Sequence, residues 1–326
     1  MDTVQAQTYP LELNIFLPNA ASSTTLLPEY EQSIGNTRFY AVKWYQDWSE
    51  PFNPESAKRI NSMGKMPELT WQPQINGYFS YNEVTSGKFD TYLKTMADSI
   101  KSLPFTIRIS LAPEMNTDWV PWSVMTNGNT NESHKAFWRY VVTTFRNQGT
   151  TNVEWIWSPN IITWNQKYSY ADTYPGNEYV NYVGLDGYNW GASTSWGTWQ
   201  SFRQVFEVSY NNLITVTDKK VLIMEMGSTE LGGNKAQWIH DMFQDIPVYF
   251  PRLQGITWFN INKETDWRIE STVSSKEAFI ENAKLVSWSP VISQPSPTPT
   301  VAPKFPIDGE RRNKILEFIR SIYIRG

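Results

Sequence analysis

A single α/β domain, a (β/α)8 or TIM barrel, is predicted by three observations. Eight short apolar runs recur along the 326-residue chain. Amphipathic helical patterns alternate with them. Three carboxylates, Glu114, Asp186 and Glu225, stand at or just past the C-terminal ends of runs, the end at which such barrels carry their functional groups. A barrel of about 250 residues plus loops fits the length, and 40% hydrophobic residues supply a core.

The predicted strands are 11–17 (LELNIFL), 38–45 (RFYAVKWY), 65–71 (KMPELTW), 105–112 (FTIRISLA), 152–157 (NVEWIW), 182–188 (YVGLDGY), 220–226 (KVLIMEM) and 255–261 (GITWFNI). Most are near-continuous in apolar character, as parallel strands buried on both faces are. In the fourth, Ile107, Ile109 and Leu111 alternate with Arg108 and Ser110, and Pro113 stops the ladder because it has no N–H to donate.

Helical patterns fill the intervals. Residues 54–63 open with Asn53 as N-cap and proline at the first helical position. Residues 86–103 put Phe89, Tyr92, Leu93, Met96 and Ile100 on one face, and 131–148 do the same with Phe137, Trp138, Val141, Val142 and Phe145. Residues 199–213, 235–243 and 276–285 continue the alternation, while 160–179 reads as loop rather than helix. The barrel domain is expected to span 1–288. A Pro/Ser/Thr-rich linker, SPVISQPSPTPTVAP, follows at 289–303. The tail, 304–326, is short, basic and amphipathic, with Ile315, Leu316, Phe318, Ile319 and Ile322 at helical spacing.

Composition removes several classes of chemistry. There is no cysteine, which excludes disulfides, thiolate catalysis and Cys-ligated zinc. The two histidines, His134 and His240, lie in separate helical segments, which argues against a His-based metal site or a Ser–His–Asp triad. No metal and no cofactor is expected. A net charge of −4 gives no steering toward nucleic acid, and no run of 18 apolar residues suggests a membrane span. The first ten residues lack a basic stretch followed by an apolar one. The chain is nevertheless expected to be secreted, with its leader outside this sequence.

Aromatic residues are the outlier, at 16 Trp, 17 Tyr and 16 Phe. Bulky core and sugar-stacking cleft both account for such numbers; their clustering near strand ends favours the cleft. The fourth strand ends at Glu114, with Asn116, Trp119 and Trp122 close behind. The sixth ends in Asp186-Gly187-Tyr188-Asn189-Trp190, and the seventh carries Glu225 in IMEMGS. Strands four and seven face each other across the mouth of an eight-stranded barrel. Two glutamates there suit glycoside hydrolysis, which needs carboxyl groups of opposite protonation state. Glu114 is read as the proton donor, Glu225 as the ionised nucleophile and Tyr188 as the group that orients it. A glutamate in an apolar strand such as IMEMG is hard to satisfy as core, because a buried unpaired charge costs several kcal/mol. Asp186 is read as a structural hydrogen-bonding group inside the barrel. Trp44, Trp71, Trp119, Trp122, Trp190 and Trp258, with Asn116, are the substrate-binding candidates, Trp258 as a floor beneath the sugar.

Five collinear segments, PEMNTDWVPW, VEWIWSPN, YPGNEYVNYVGLDGYNW, VLIMEMGS and ITWFNINKETDWRIE, resemble glycoside hydrolase family 26. The resemblance covers about residues 38–270. It implies a (β/α)8 barrel of the clan with catalytic glutamates on strands four and seven, cleaving β-linked polysaccharide with retention of configuration. It puts the acid/base on Glu114, the nucleophile on Glu225, the orienting tyrosine on Tyr188, and aromatic platforms on Trp119 and Trp258. The chain also departs from the family pattern. Mannanases of the family read His-Glu-Met-Asn-Gly at strand four with an arginine shortly before, and a Trp-His pair ends strand three. Here Pro113, Thr117, Ser110 and Gln72 stand at those places. The expectation is therefore a retaining endo-β-glycanase acting on mixed-linkage β-1,3-1,4-glucan, then β-1,4-mannan, then β-1,3-xylan. The non-enzymatic alternative is a barrel that only binds polysaccharide. Further modules beyond the linker are also expected.

Overall fold

Eight parallel strands close into a barrel whose first and last members pair from Glu12↔Gly255 to Phe16↔Phe259. The computed structural model describes residues 8–162 and 168–287. The expected linker and tail lie outside these residues. The strands are β1 (Glu12–Phe16), β2 (Ala41–Asp47), β3 (Met66–Gln72), β4 (Ile107–Leu111), β5 (Val153–Trp157), β6 (Tyr182–Asn189), β7 (Lys220–Ser228) and β8 (Leu253–Phe259). All eight predicted strands are present. A two-residue parallel pairing of Tyr9–Pro10 with Val286–Ser287 ties the two ends of the barrel unit together.

The helices that follow the strands are α1 (Leu26–Ser33), α2 (Pro54–Ser62), α3 (Asp90–Lys101), α4 (Asn131–Asn147), α5 (Tyr170–Thr173), α6 (Phe202–Val216), α7 (Lys235–Tyr249) and α8 (Val273–Ala283). Their starts have local causes. Asn53 accepts from the Glu55 amide ahead of α2, with proline inside the first turn. Thr130 and Ser133 form a reciprocal capping box at α4, as Ser201 and Gln204 do at α6. Among the described residues between β5 and β6 there are the single turn α5 and a 3-10 turn at Asn177–Tyr179. This fits the reading of that interval as mainly loop.

The strands divide by alternation into two faces. Outward residues such as Leu13, Ile15, Leu69, Ile107 and Ile109 pack against the helices and form the main core. The inward face is mostly polar, and many of its groups are paired in layers. At the base, the buried Arg108 guanidinium donates to both Glu12 oxygens and to Glu154, at 2.6, 3.2 and 3.1 Å. Above it, Ser110 bonds to Ser158 at 2.6 Å, and Thr257 donates to Glu68. One wall of the interior is apolar, made by Ile156, Leu222 and Met224 with Tyr182 against them. Both histidines belong to the fold: His134 is buried between Tyr81 and Trp157, and His240 reaches Asn282 from α7.

Candidate active site

The open end of the barrel is marked by a change in burial. Phe16, Tyr45, Glu114, Tyr188, Glu225 and Phe259 are partly exposed, although the inward residues below them, such as Asn14, Lys43, Ser110 and Thr257, are buried. These six residues belong to β1, β2, the loop after β4, β6, β7 and β8. They converge on one cavity mouth because each is an inward position at the C-terminal end of its strand. Edge-to-face and stacked contacts link Phe16, Tyr45, Phe259 and Tyr188 at centroid distances of 4.9–6.3 Å.

Glu225 reaches this face through a β-bulge. β7 pairs Ile223 with Leu185 of β6, but the next pair is Glu225 with Asp186, which leaves Met224 extra. On the other side, Ile223 and Met226 pair with Ile256 and Trp258, again one residue more on β7. Strict alternation would turn Glu225 away from Met224. The bulge lets Met224 fill the interior apolar wall while Glu225 also points inward. Gly184 makes room for it: a Cβ there would lie 2.5 Å from Met224 Cγ and 2.9 Å from Ser158 Cβ.

Three groups hold the Glu225 carboxylate. Tyr188 donates to Oε2 at 2.8 Å and Tyr45 donates to Oε1 at 2.6 Å. The Lys43 ammonium lies 3.8 Å from Oε1 and 4.0 Å from Glu68, and it also donates to the Met224 carbonyl exposed by the bulge. Burial and the neighbouring Glu225 charge push both tyrosine hydroxyls well above their ordinary range, so they remain donors.

Glu114 is set differently. Its backbone and that of Ala112 are left-handed, with φ of 56° and 49°, on either side of Pro113. Such conformations cost about 1–3 kcal/mol each and persist where surrounding bonds over-determine them. Here the Ala112 amide donates to Trp71 O, the Glu114 amide to Ser158 O, and the Trp122 indole to Pro113 O at 2.6 Å. The Glu114 carboxyl accepts from the Trp119 indole at 3.2 Å and from the Asn160 amide. Burial, and then the charge of Glu225, push its pKa up to about 7. Glu114 thus holds a proton near neutral pH beside a carboxylate furnished with two hydroxyl donors and a cation, an arrangement fit for proton donation and nucleophilic attack at one bond.

The structure brings Glu114, Glu225, Tyr188 and Trp119 together, and Trp119 is 57% exposed beside Glu114. Trp190 sits one ring behind Tyr188 and against Trp267. Asn116 does not reach the carboxylate. Its amide is bonded in both directions to the Asn160 backbone and so braces Asn160. Four of the tryptophans are not cleft residues. Trp44, Trp71, Trp122 and Trp258 are 8, 0, 2 and 1% exposed. Trp44, Trp71 and Trp258 occupy outward strand positions, where Trp71 packs on Trp48 and Tyr92, and Trp258 on Trp238 and Phe279. Trp122 is held beneath the Glu114 loop. On β8 it is Phe259, not Trp258, that faces the mouth. Asp186 also differs from expectation: it is buried, and neither carboxylate oxygen is hydrogen-bonded to a protein group. Burial and the charges of Glu225 and Glu114 push its pKa well up, favouring the neutral acid. Arg108 stays at the barrel base, and Ser110 is committed to Ser158.

Lys43, Tyr45, Asn160 and Phe259 complete the site and were not singled out from the sequence. Lys43 and Tyr45 stand two apart on β2, so the period-2 rule was the available signal. Asn160 closes a strand-end segment, WSPN, in which no role had been assigned.

Comparison with known proteins bears on family and fold. A family model described as glycosyl hydrolase family 26 matches residues 80–230, an interval containing Glu114, Tyr188 and Glu225. Endoglucanase H of Acetivibrio thermocellus is 37% identical over 247 residues, which is 74% of this chain and 26% of the relative. The chain therefore spans about a quarter of the length of that protein. Among solved structures, the catalytic domain of a GH26 endo-β-1,4-mannanase from Bacillus sp. JAMB-750 superposes with a TM-score of 0.64 at 19% identity, covering 86% of this chain and 88% of that one. A β-mannanase from a symbiotic protist of the termite Reticulitermes speratus, complexed with gluco-manno-oligosaccharide, gives 0.62 at 15% identity, covering 87% and 90%. At such identities these two likenesses describe the fold.

Proposed function

This chain belongs to glycosyl hydrolase family 26, and from that premise we propose that it is a retaining endo-β-glycanase working by double displacement between Glu225 and Glu114. The observation that carries the reading is the asymmetry of the two carboxyl groups. Glu225 is fitted with Tyr45, Tyr188 and Lys43, whereas Glu114 is pushed up to about 7. In the first step Glu225 attacks the anomeric carbon. The glycosidic C–O bond breaks, and Glu114 gives its proton to the leaving oxygen. In the second, the ionised Glu114 takes a proton from water. That water oxygen attacks the same carbon, and Glu225 leaves as carboxylate. Two inversions restore the original configuration.

The preferred substrate is mixed-linkage β-1,3-1,4-glucan. The support is the relative at 37% identity, which is named an endoglucanase. Pro113 agrees with it, since it places no imidazole ahead of the acid/base. A polymer of this kind is met outside the cell. Among the described residues no helix is long and apolar enough to cross a membrane.

A reducing-sugar assay on mixed-linkage β-glucan, galactomannan and β-1,3-xylan, with proton NMR of the first-formed anomer, tests both parts. Rapid release from the mixed-linkage glucan with initial β-anomer is expected, together with loss of at least about 10³-fold in E225A. Preference for galactomannan would replace the substrate. Initial α-anomer, or parental turnover by E225A, would remove the mechanism.

A further inference from the structure

The loop after β6 carries an aromatic residue that the catalytic arrangement does not use. Trp196 is 67% exposed, the most exposed aromatic side chain among the described residues. It does not ride on a loose segment. Within the loop, Ser193 donates to the Trp190 carbonyl, and the Gly197 amide donates to Thr194. The Ala192 amide is tied to Leu231 O in the loop after β7, and the Gln200 amide to the Asn189 side chain at the end of β6. Gly191 is left-handed at φ +50°, and a Cβ there would lie 2.0 Å from Leu231 O, so this tie depends on glycine. A large apolar ring is thus fixed in water, at the cost of hydrated apolar surface that a smaller residue would avoid.

The ring is also continuous with the active centre. Trp196 packs against Trp190 at 5.2 Å between centroids, and Trp190 against Tyr188 at 6.1 Å. Tyr188 then donates to the Glu225 carboxylate at 2.8 Å. Trp267, itself buried, backs both Trp190 and Tyr188, at 4.9 and 4.8 Å. Trp190 covers part of Trp196, whose remaining surface faces solvent with the hydroxyl-bearing Ser193, Thr194 and Ser195 beside it in the chain. Apolar ring plus neighbouring hydroxyls is the chemistry that recognises a pyranose, with its C–H face and its equatorial hydroxyl rim.

We propose that Trp196, supported by Trp190, forms an outlying sugar-binding subsite for the polysaccharide chain, separate from the sugars that flank the scissile bond. The proposal rests on the glycanase reading for its ligand class. Its occupant is a further pyranose of the same chain that reaches Glu225, because the row of rings joins the two places. Such a subsite contributes equally to ground state and transition state, so it acts on KM and not on kcat. It also acts only on substrates long enough to reach it.

The test compares parent, W196A and W196F in two measurements. Steady-state kinetics use the polymer and a short aryl oligosaccharide. Affinity electrophoresis in gels containing mixed-linkage β-glucan or galactomannan needs no turnover. For W196A, polymer KM is expected to rise about tenfold or more with kcat unchanged. KM for the short substrate should stay at the parental value, and gel retardation should weaken, with W196F near the parent in every reading. Because Trp196 is exposed, melting temperature should not move. Equal retardation and equal polymer KM in W196A and parent would overturn the subsite, as would a parent retarded by neither polysaccharide. A parent that is retarded but cleaves nothing would overturn the glycanase reading alone, and the W196A gel shift would still decide the subsite.

Discussion

Glu114 and Glu225 are the same residue type, and their surroundings alone separate them. Glu225 has two phenolic hydroxyls and an ammonium within reach. Glu114 has an indole and an amide, is largely desolvated, and sits under the charge of Glu225. A raised carboxyl pKa means that the charged form is disfavoured. Glu114 is therefore the competent acid below about 7 and loses its proton as pH rises through that value. Turnover should fall on the alkaline side accordingly. Since Glu225's charge is the second cause of the shift, E225Q should lower the pKa of Glu114 while burial keeps it above an ordinary glutamate. Carbon-13 NMR titration of the Glu114 carboxyl in the two proteins reads this directly; an unchanged titration would show that burial alone sets it. At this scale the meeting of Glu114, Glu225 and Tyr188 at one end of the barrel was readable, because each follows from its place at or just past a strand end. The exposures of Trp71 and Trp258 were not, because a strand-end tryptophan faces the cleft or the helices according to one residue of register.

Two elements do most to aim the site. The loop after β4 stores backbone strain at Ala112 and Glu114 and is held by Trp71, Ser158 and Trp122. The bulge in β7 presents Glu225 and, through the Met224 carbonyl, an anchor for Lys43. The bulge depends on Gly184, so G184A should be felt at Glu225. Overpacking of this kind costs about 1–3 kcal/mol. We expect G184A to lose stability in that range in urea unfolding and also to lose kcat. M224A combined with G184A should recover most of both, because the shortened side chain vacates the contact. Additive losses in the double variant would mean that Gly184 and Met224 are not coupled. Element existence was legible in the sequence, since the period of the apolar residues carries it. Element ends were less so: α7 continues past its expected end near Phe243 to Tyr249, with Pro247 within its last turn. The bulge left no trace in the pattern, for the residues flanking Glu225 in LIMEM are apolar on either register.

Across the barrel, the interior is a column of charge whose upper end carries Glu114 and Glu225 and whose lower end closes the barrel. Arg108 joins Glu12 of β1 to Glu154 of β5 and stacks near Tyr40 and Tyr182. Removing one partner of a buried pair leaves the others uncompensated, at about 3–5 kcal/mol. R108M should therefore lower the urea midpoint by that equivalent. Its kcat per folded molecule should stay near the parental value, because Arg108 bonds at the base and not to Glu114 or Glu225. A selective loss of kcat would tie the base to the mouth instead. By itself the sequence determined the barrel, the order of its strands and the strand ends that carry carboxylates, because periodicity and strand-end position are local properties of the chain; the family came through the resemblance of five collinear segments. The tertiary structure alone decided which tryptophans are walls and which are core, that Lys43 and Tyr45 serve Glu225, and that Asp186 lies unpartnered beneath the pair. These depend on register, bulge and closure between segments far apart in sequence, and no local pattern encodes a pairing of Lys43 with a carboxylate on β7.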